Sequence, residues 1–374
     1  MNIVDRGRVA VAEEATDRAS LCFPGVCTMP AGRWLVTYRA APTKDSVGAQ
    51  RTLLSSSDDG GRSWSSPREP WRPHSVEGKP GRFRAAHLTA LGGERLLATL
   101  YWVDASDPSL PFFNEETEGL LESYLFQSLS RDGGESWSVP TRIDTRPYTV
   151  PTPITGPTLL LANGDWALQF ETNKTYYDTS TWHHQSVLMF SADEGRSWPE
   201  TSCAAADPDA RIFYWDQRPA VLADGRVLDL FWTFDRESAR YLNIHGRASG
   251  DHGRTWGELY DTGVPGQPAP PVGLADGRIV MVYVDRTVGA QIKARVSHDG
   301  GVTWPQEGEI VLAGDDFVQQ TADKDSMQDA WTEMGKFSLG LPATAALGED
   351  RFLVVYYAGP ETDLTHIEWA LVQA

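Results

Sequence analysis

The chain has 374 residues, and its 33 Lys and Arg against 51 Asp and Glu give a formal charge of −18. A body this acidic is repelled by nucleic-acid phosphates and by anionic membrane surfaces, so neither is expected as a partner. Hydrophobic residues make up 41% of the chain and charged residues 22%, enough apolar material for a globular core, which excludes disorder as the overall state.

In chain order, the first thirty residues carry charges throughout and lack the apolar centre of a secretion signal, and no later run approaches the ~18 uncharged apolar residues of a membrane span. The expected location is the cytoplasm, or outside the cell if a leader has been removed. Val4 to Val11 reads as a strand that joins the C-terminal unit from outside. Three cysteines, Cys22, Cys27 and Cys203, are an odd and low count that argues against a disulfide framework, and their spacing lacks the partners of a zinc site. Cys22 and Cys27 are read as buried small apolar side chains. No metal and no cofactor are expected.

Six hairpin patterns follow, each an apolar strand, a tight Gly or Asp turn and a second apolar strand. They are MPAGRWLVTY (29–38), ALGGERLLATLYW (90–102), LANGDWALQF (161–170), LADGRVLDLFW (222–232), LADGRIVMVYV (274–284) and LGEDRFLVVYY (347–357). Out of phase with them runs Ser-x-Asp-x-Gly-x-(Ser/Thr)-Trp, in five copies: SDDGGRSW (57–64), SRDGGESW (130–137), SADEGRSW (191–198), SGDHGRTW (249–256) and SHDGGVTW (297–304). In each copy the carboxylate accepts backbone N–H groups, Gly permits positive φ, the hydroxyl caps the turn and Trp plugs the space between sheets. Asp59, Asp132, Asp193, Asp251 and Asp299 are therefore staples and not catalysts. Two hairpins per unit and units of roughly 50–70 residues predict an all-β chain, a six-bladed β-propeller of four-stranded antiparallel blades forming one domain over 1–374.

That topology puts the segments before the first and after the second strand of each unit on one face, opposite the Trp turns. The candidates there are Arg39 and Asp45; Arg84 and His87; Glu171, Lys174, Tyr176, Trp182 and His183; Asp216 and Arg218; Gln267 and Arg286; and Glu333. Carboxylates, cations and aromatic platforms around one concave mouth suit a carbohydrate, whose hydroxyls need polar partners and whose faces stack on rings.

The five Asp-containing turns on a six-hairpin repeat resemble the Asp-box propellers of the sialidase (neuraminidase) superfamily, and the resemblance covers essentially the whole chain. It implies an acid/base Asp after the second strand of the first blade, where Asp45 stands, with Arg39 ending that strand. Asp216 falls near the position of the family's Glu. The family's Arg-Ile-Pro segment is here Cys22-Phe23-Pro24, its second Arg position holds Trp232, its third is not evident, and Phe337 stands where its nucleophilic Tyr is expected. The resemblance with these departures implies an exo-acting glycoside hydrolase on a terminal sugar other than ordinary sialic acid. Asp45 would be the general acid, and Asp216, or in its place Glu171 or Glu333, the second carboxylate. Arg84, Arg218 and Lys174 could rebuild an anion site for a uronic or atypical sialic acid, giving an exo-α-sialidase with a rebuilt carboxylate site. The alternatives are a lyase on uronic-acid sugars, with His87, His183 or Tyr176 as base and acid, and a carbohydrate-binding propeller without turnover. The sequence is silent on oligomeric state.

Overall fold

The computed structural model describes residues 1–314, 321–348 and 350–374. Glu349, in the turn of the sixth hairpin, lies outside the described residues. The chain is all-β, with one helix among the described residues, α1 (Met327–Gly335), N-capped by Ser326, whose side chain accepts the Asp329 N–H. No helix is long and apolar enough to cross a membrane among the described residues.

The predicted hairpins all form. The first sheet joins the last and first units: Leu339–Ala346, Arg351–Glu361 and Leu364–Gln373 continue, through a single parallel pairing of Ser20 with Thr365, into Ser20–Thr28, Trp34–Ala41 and Arg51–Ser57. Asn2–Ala10 pairs antiparallel with Leu364–Gln373, from Asn2 opposite Gln373 to Ala10 opposite Ile367, as expected for the N-terminal strand. The next sheets are built on Lys79–Gly92, Arg95–Asp104 and Ser123–Ser130, then on Trp166–Glu171, Gln185–Ser191 and Glu200–Ala206. Two more follow, on Val227–Asp235, Asn243–Ser249 and Tyr260–Pro265, and on Ile279–Asp285, Gln291–Ser297 and Ile310–Ala313.

Burial along a strand tells its place. The second strands Trp34–Ala41, Val227–Asp235 and Ile279–Asp285 are buried at every residue, because neighbouring sheets cover both faces. The third strands Asn243–Ser249 and Gln291–Ser297 alternate toward half-exposure, as strands nearer the rim do. Apolar layers join each unit to the next. Leu35 and Leu54 pack with Leu88 and Leu100, Leu97 and Leu125 with Leu168 and Met189, and Phe190 with Val227. Leu228 and Leu230 then pack with Ile279 and Met281, Val280 and Val282 with Phe352 and Val354, and Val355 and Tyr357 with Val36 and Tyr38.

The five Trp turns share one geometry. In the first, Ser57 Oγ donates to Asp59 Oδ1 at 2.9 Å and accepts from the Gly61 N–H at 2.9 Å, while the Asp59 carboxylate accepts the Ser63 N–H at 2.9 Å and its hydroxyl at 2.6 Å. The Ser63, Ser136 and Ser197 hydroxyls lead the donors that hold Asp59, Asp132 and Asp193 down at about 2. Gly61 is obligatory: its φ is +86°, and an added Cβ would sit 2.6 Å from the Trp369 ring.

Candidate active site

Away from the Trp turns, a cavity of about 690 Å³ draws lining from every unit: Phe23 and Asp45, Arg84 and Tyr101, Glu171, Asp216, Gln267, and Tyr357. Phe23, Asp216 and Leu341, all on its wall, hold φ of 53°, 50° and 44°. Non-glycine residues in that region cost on the order of 1–3 kcal/mol each and persist where the surrounding packing fixes them.

One side carries the carboxylates. Asp216 lies between the strands Ile212–Trp215 and Ala220–Val221. Its Oδ2 accepts from the Gln267 amide, and its Oδ1 is 3.5 Å from Arg218 Nη2. Gln267 in turn accepts from Arg286 Nη1 at 3.1 Å, and Arg286 donates to the Leu339 carbonyl at 2.9 Å. Arg218 also donates to the carbonyls of Thr155 and Pro268, so Asp216 is bound into a buried network that leaves it little freedom. Glu171 Oε1 accepts the Gln217 N–H at 3.2 Å, and its Oε2 is 3.4 Å from Nε2 of the buried His184. Fully buried beside this network, the Asp229 carboxyl is pushed well above the carboxylate range by desolvation, with the neighbouring Glu171 charge adding to it. Asp45 is exposed at the mouth, its Oδ1 facing Gly335 of α1.

The other side is cationic. Arg84 is sandwiched between Phe23 and Phe112, 4.9 and 4.3 Å from their ring centres, and donates from Nη1 to Gln50 at 3.1 Å. Burial, and then the Arg39 charge, lower it to about 9, so it stays protonated at neutral pH. Lys44 donates to the carbonyls of Met334 and Phe337, each at 2.8 Å, and lies 3.4 Å from the Tyr357 hydroxyl; burial lowers it to about 7. Among the described residues, Arg39, Lys44, Arg84 and Arg286 have no carboxylate within 4.0 Å. Three guanidinium groups and a lysine poised to lose its proton thus stand without an ion-pair partner around a cavity that also carries Asp45, Glu171 and Asp216. The third wall is aromatic: Trp182, Trp215 and Trp331 have ring centres 5.9–6.4 Å apart, and Phe113 stacks on Trp331 at 4.0 Å and 12°.

Residues 99–313, more than half of the chain, match the family described as BNR repeat-like domain. The chain belongs to this family. No curated protein is significantly similar to it in sequence. Among solved structures, this BNR repeat-like protein is similar to a Dyadobacter fermentans protein of unknown function, at 20% identity and a TM-score of 0.74 over 99% of this chain and 100% of that one. It is also similar to the Hadza microbial sialidase Hz136, at 16% identity and 0.65 over 96% and 66%. With the leech intramolecular trans-sialidase it shares 13% identity and a TM-score of 0.62 over 99% and 70%. These likenesses make its fold that of the sialidases.

Of the expected site residues, the BNR repeat-like fold brings Asp45, Glu171, Asp216, Arg84, His87, Trp182, Arg218 and Gln267 to the cavity wall. Arg39 and Arg286 lie one layer behind, their guanidinium groups spent on neutral acceptors: Gln50 and the Ser46 carbonyl for Arg39, Gln267 and Leu339 for Arg286. Four candidates fall elsewhere. Glu333 is held by the Ala322 N–H at 2.7 Å and Lys324 at 3.0 Å. Lys174 donates to the Ser180 carbonyl and approaches Glu118 at 3.9 Å. Tyr176, half-buried, packs against the apolar layer that contains Leu121, and His183 is exposed. Sequence reasoning missed Lys44, Tyr357, Trp215 and Asp229. The signal for Lys44 was its place beside Asp45; Tyr357 and Asp229 sit inside apolar strand patterns and give none.

Proposed function

We propose that this protein is an exo-acting glycoside hydrolase, and that its six units form one domain, a closed six-bladed propeller with the cavity on its axis. The apolar layers between consecutive units, the last against the first, support the closure. The observation that carries the activity is the Asp216 carboxylate, fixed by Gln267 and Arg218 on the wall of a cavity that also holds Asp45 and Glu171. Glycoside hydrolysis needs one carboxyl group to protonate the leaving oxygen and a second to meet the positive charge developing at the anomeric carbon. Asp45, exposed at the mouth, is the general acid, and Asp216 is the second carboxylate, with Glu171 beside it. Aromatic walls and a mixed set of cations and amides supply stacking and hydroxyl recognition.

Two observations bear on the sugar. The Arg39 and Arg286 side chains are committed to neutral acceptors and Cys22 adds no third guanidinium, which argues against the grip an ordinary sialate carboxylate needs. Arg84, stacked but without an acidic partner, favours an anionic group elsewhere on the sugar and keeps the rebuilt carboxylate site as a second reading. Lyase chemistry is disfavoured: burial and then the Arg218 charge lower His87 to about 3, leaving it a weak base, and His183 and Tyr176 lie off the cavity.

The test is a panel of methylumbelliferyl glycosides, including sialosides and uronides. Hydrolysis of one of them that falls about a hundredfold or more in both Asp45→Asn and Asp216→Asn is the expected result. Full turnover in either variant removes that residue from the mechanism, and a product absorbing near 230 nm would mark elimination instead.

A further inference from the structure

Three segments that do not belong to the hairpin repeat meet along the aromatic wall. One runs through Phe113–Asn114 and Gly119–Leu120 in the second unit, one through Lys174–Thr175 in the third, and one is α1 in the last. The first two form a small separate sheet, in which Lys174–Thr175 pairs parallel with Gly119–Leu120. Asn114 Nδ2 and Thr117 Oγ1 both donate to the Tyr176 carbonyl, at 2.9 and 2.6 Å. Phe113 stacks on Trp331, and Thr332 donates to Glu115 at 3.2 Å.

At the junction stands Glu118, 4% exposed and held at φ 64°. Its carboxylate takes Arg236 Nη2 on both oxygens, at 2.9 and 2.8 Å, Gln328 Nε2 of α1 at 3.3 Å, and lies 3.9 Å from Lys174 Nζ. One buried carboxylate of the second unit thus reaches the third, fourth and last units, far apart in sequence. A left-handed φ at a Glu and a carboxyl group nearly removed from water both cost free energy, and they persist where several partners fix them together.

We propose that Glu118 is a specificity-determining positioning residue, which locks these segments into a wall that shuts the cavity on one side and admits only the end of a glycan chain. The segments it joins present Phe113, Glu115, Leu120, Asn173, Trp331 and Thr332 to the cavity. With the lock in place a chain running through the cavity meets this wall; without it, α1 and the small sheet separate and an internal residue of a chain can enter. The proposal rests on the cavity being a carbohydrate site but not on turnover.

Two measurements test it on the full chain. Amide hydrogen exchange should rise roughly tenfold or more across 327–335 and 174–176 in Glu118→Ala, the loss expected for charge-assisted bonds, with no change in the strand Asn243–Ser249. Glu118→Gln, which keeps the shape and an amide or carbonyl partner for Gln328, should show a smaller rise and guards against misfolding of the Ala variant. On an array of immobilised oligosaccharides displaying the same sugar terminally or internally, the wild type should bind terminal display, and Glu118→Ala should gain internal binding by about tenfold. Unchanged exchange in both variants overturns the lock. An internal-to-terminal ratio equal to that of the wild type, or no binding to either display, overturns the specificity role. Terminal-only binding by a chain that hydrolyses no glycoside supports this proposal while sinking the hydrolase reading.

Discussion

Lys44→Met isolates the cost of the buried ammonium beside the cavity. Lys44 is 7% exposed, and its three hydrogens meet the Met334 and Phe337 carbonyls and the Tyr357 hydroxyl. Those acceptors are neutral; desolvation, with the Arg286 and Arg39 charges, outweighs the favourable Cys22 and Asp45, and the group falls from 10.5 to about 7. The unfolded chain keeps Lys44 protonated up to about 10.5, whereas the folded chain releases the proton near 7. Between these values the unfolded state binds more protons, so stability rises with pH, by about 1.4 kcal/mol per unit for this group. Met fills similar volume without titrating, while leaving two carbonyls without their donor. Urea unfolding followed by tryptophan fluorescence, for both proteins at pH 7.5 and 9.5, cancels the other titrating groups in the difference. Wild type should gain about 2–3 kcal/mol on the variant over that interval. A difference that is flat, or that shrinks as pH rises, would show that the three acceptors outweigh desolvation and refute the reasoning.

Two further variants probe the walls of the cavity. Arg84→Met keeps an unbranched stem between Phe23 and Phe112 and deletes the charge, so kcat/KM on an anionic glycoside should fall about a hundredfold, with a much smaller change on a neutral one; equal losses on both would mean that Arg84 only packs. Asp229→Asn replaces a carboxyl that desolvation already keeps neutral, so stability at pH 4 should move by less than about 1 kcal/mol. Because its folded pKa is raised, wild type should then lose ground to the Asn variant as pH rises above 3.8. Thermal or urea unfolding at pH 4 and 7 that shows wild type gaining ground would mean an ionised Asp229.

The repeat was legible because its turns follow from local chemistry. A Ser, Asp, Gly and Trp at fixed offsets satisfy one another within eight residues, and the hairpins announce themselves by apolar runs around Gly or Asp turns. Even the pairing of the N-terminal strand with the last unit followed from counting strands. The site was legible in part: Asp45, Asp216, Arg84 and His87 stand on segments that the topology assigns to one face. What escaped was whatever depends on long-range partners. Lys174 and Glu333 look like free charged groups in sequence, and only the fold reveals that Ser180 and Glu118, or Lys324 and Ala322, occupy them. Tyr357 reads as one more aromatic of a buried strand, and only the approach of Lys44 from a segment more than three hundred residues away turns its hydroxyl toward the site. Phe337, expected as a bare substitution, proves to be the platform under Arg286, 3.8 Å from its ring centre.

The antiparallel pairing of Asn2–Ala10 with Leu364–Gln373 has a consequence for how the protein is made. The partner of the first strand emerges only after every intervening unit has been made, so until then the N-terminal strand waits with its ladder groups unpaired, and the sheet that joins the first and last units cannot form. Early units can dock on one another as they emerge, but the layer of Val355 and Tyr357 against Val36 and Tyr38 forms only once the sixth hairpin has been made. A chain stalled or cut short of Leu364 would therefore leave two open edges at once, a ready template for pairing with a second copy.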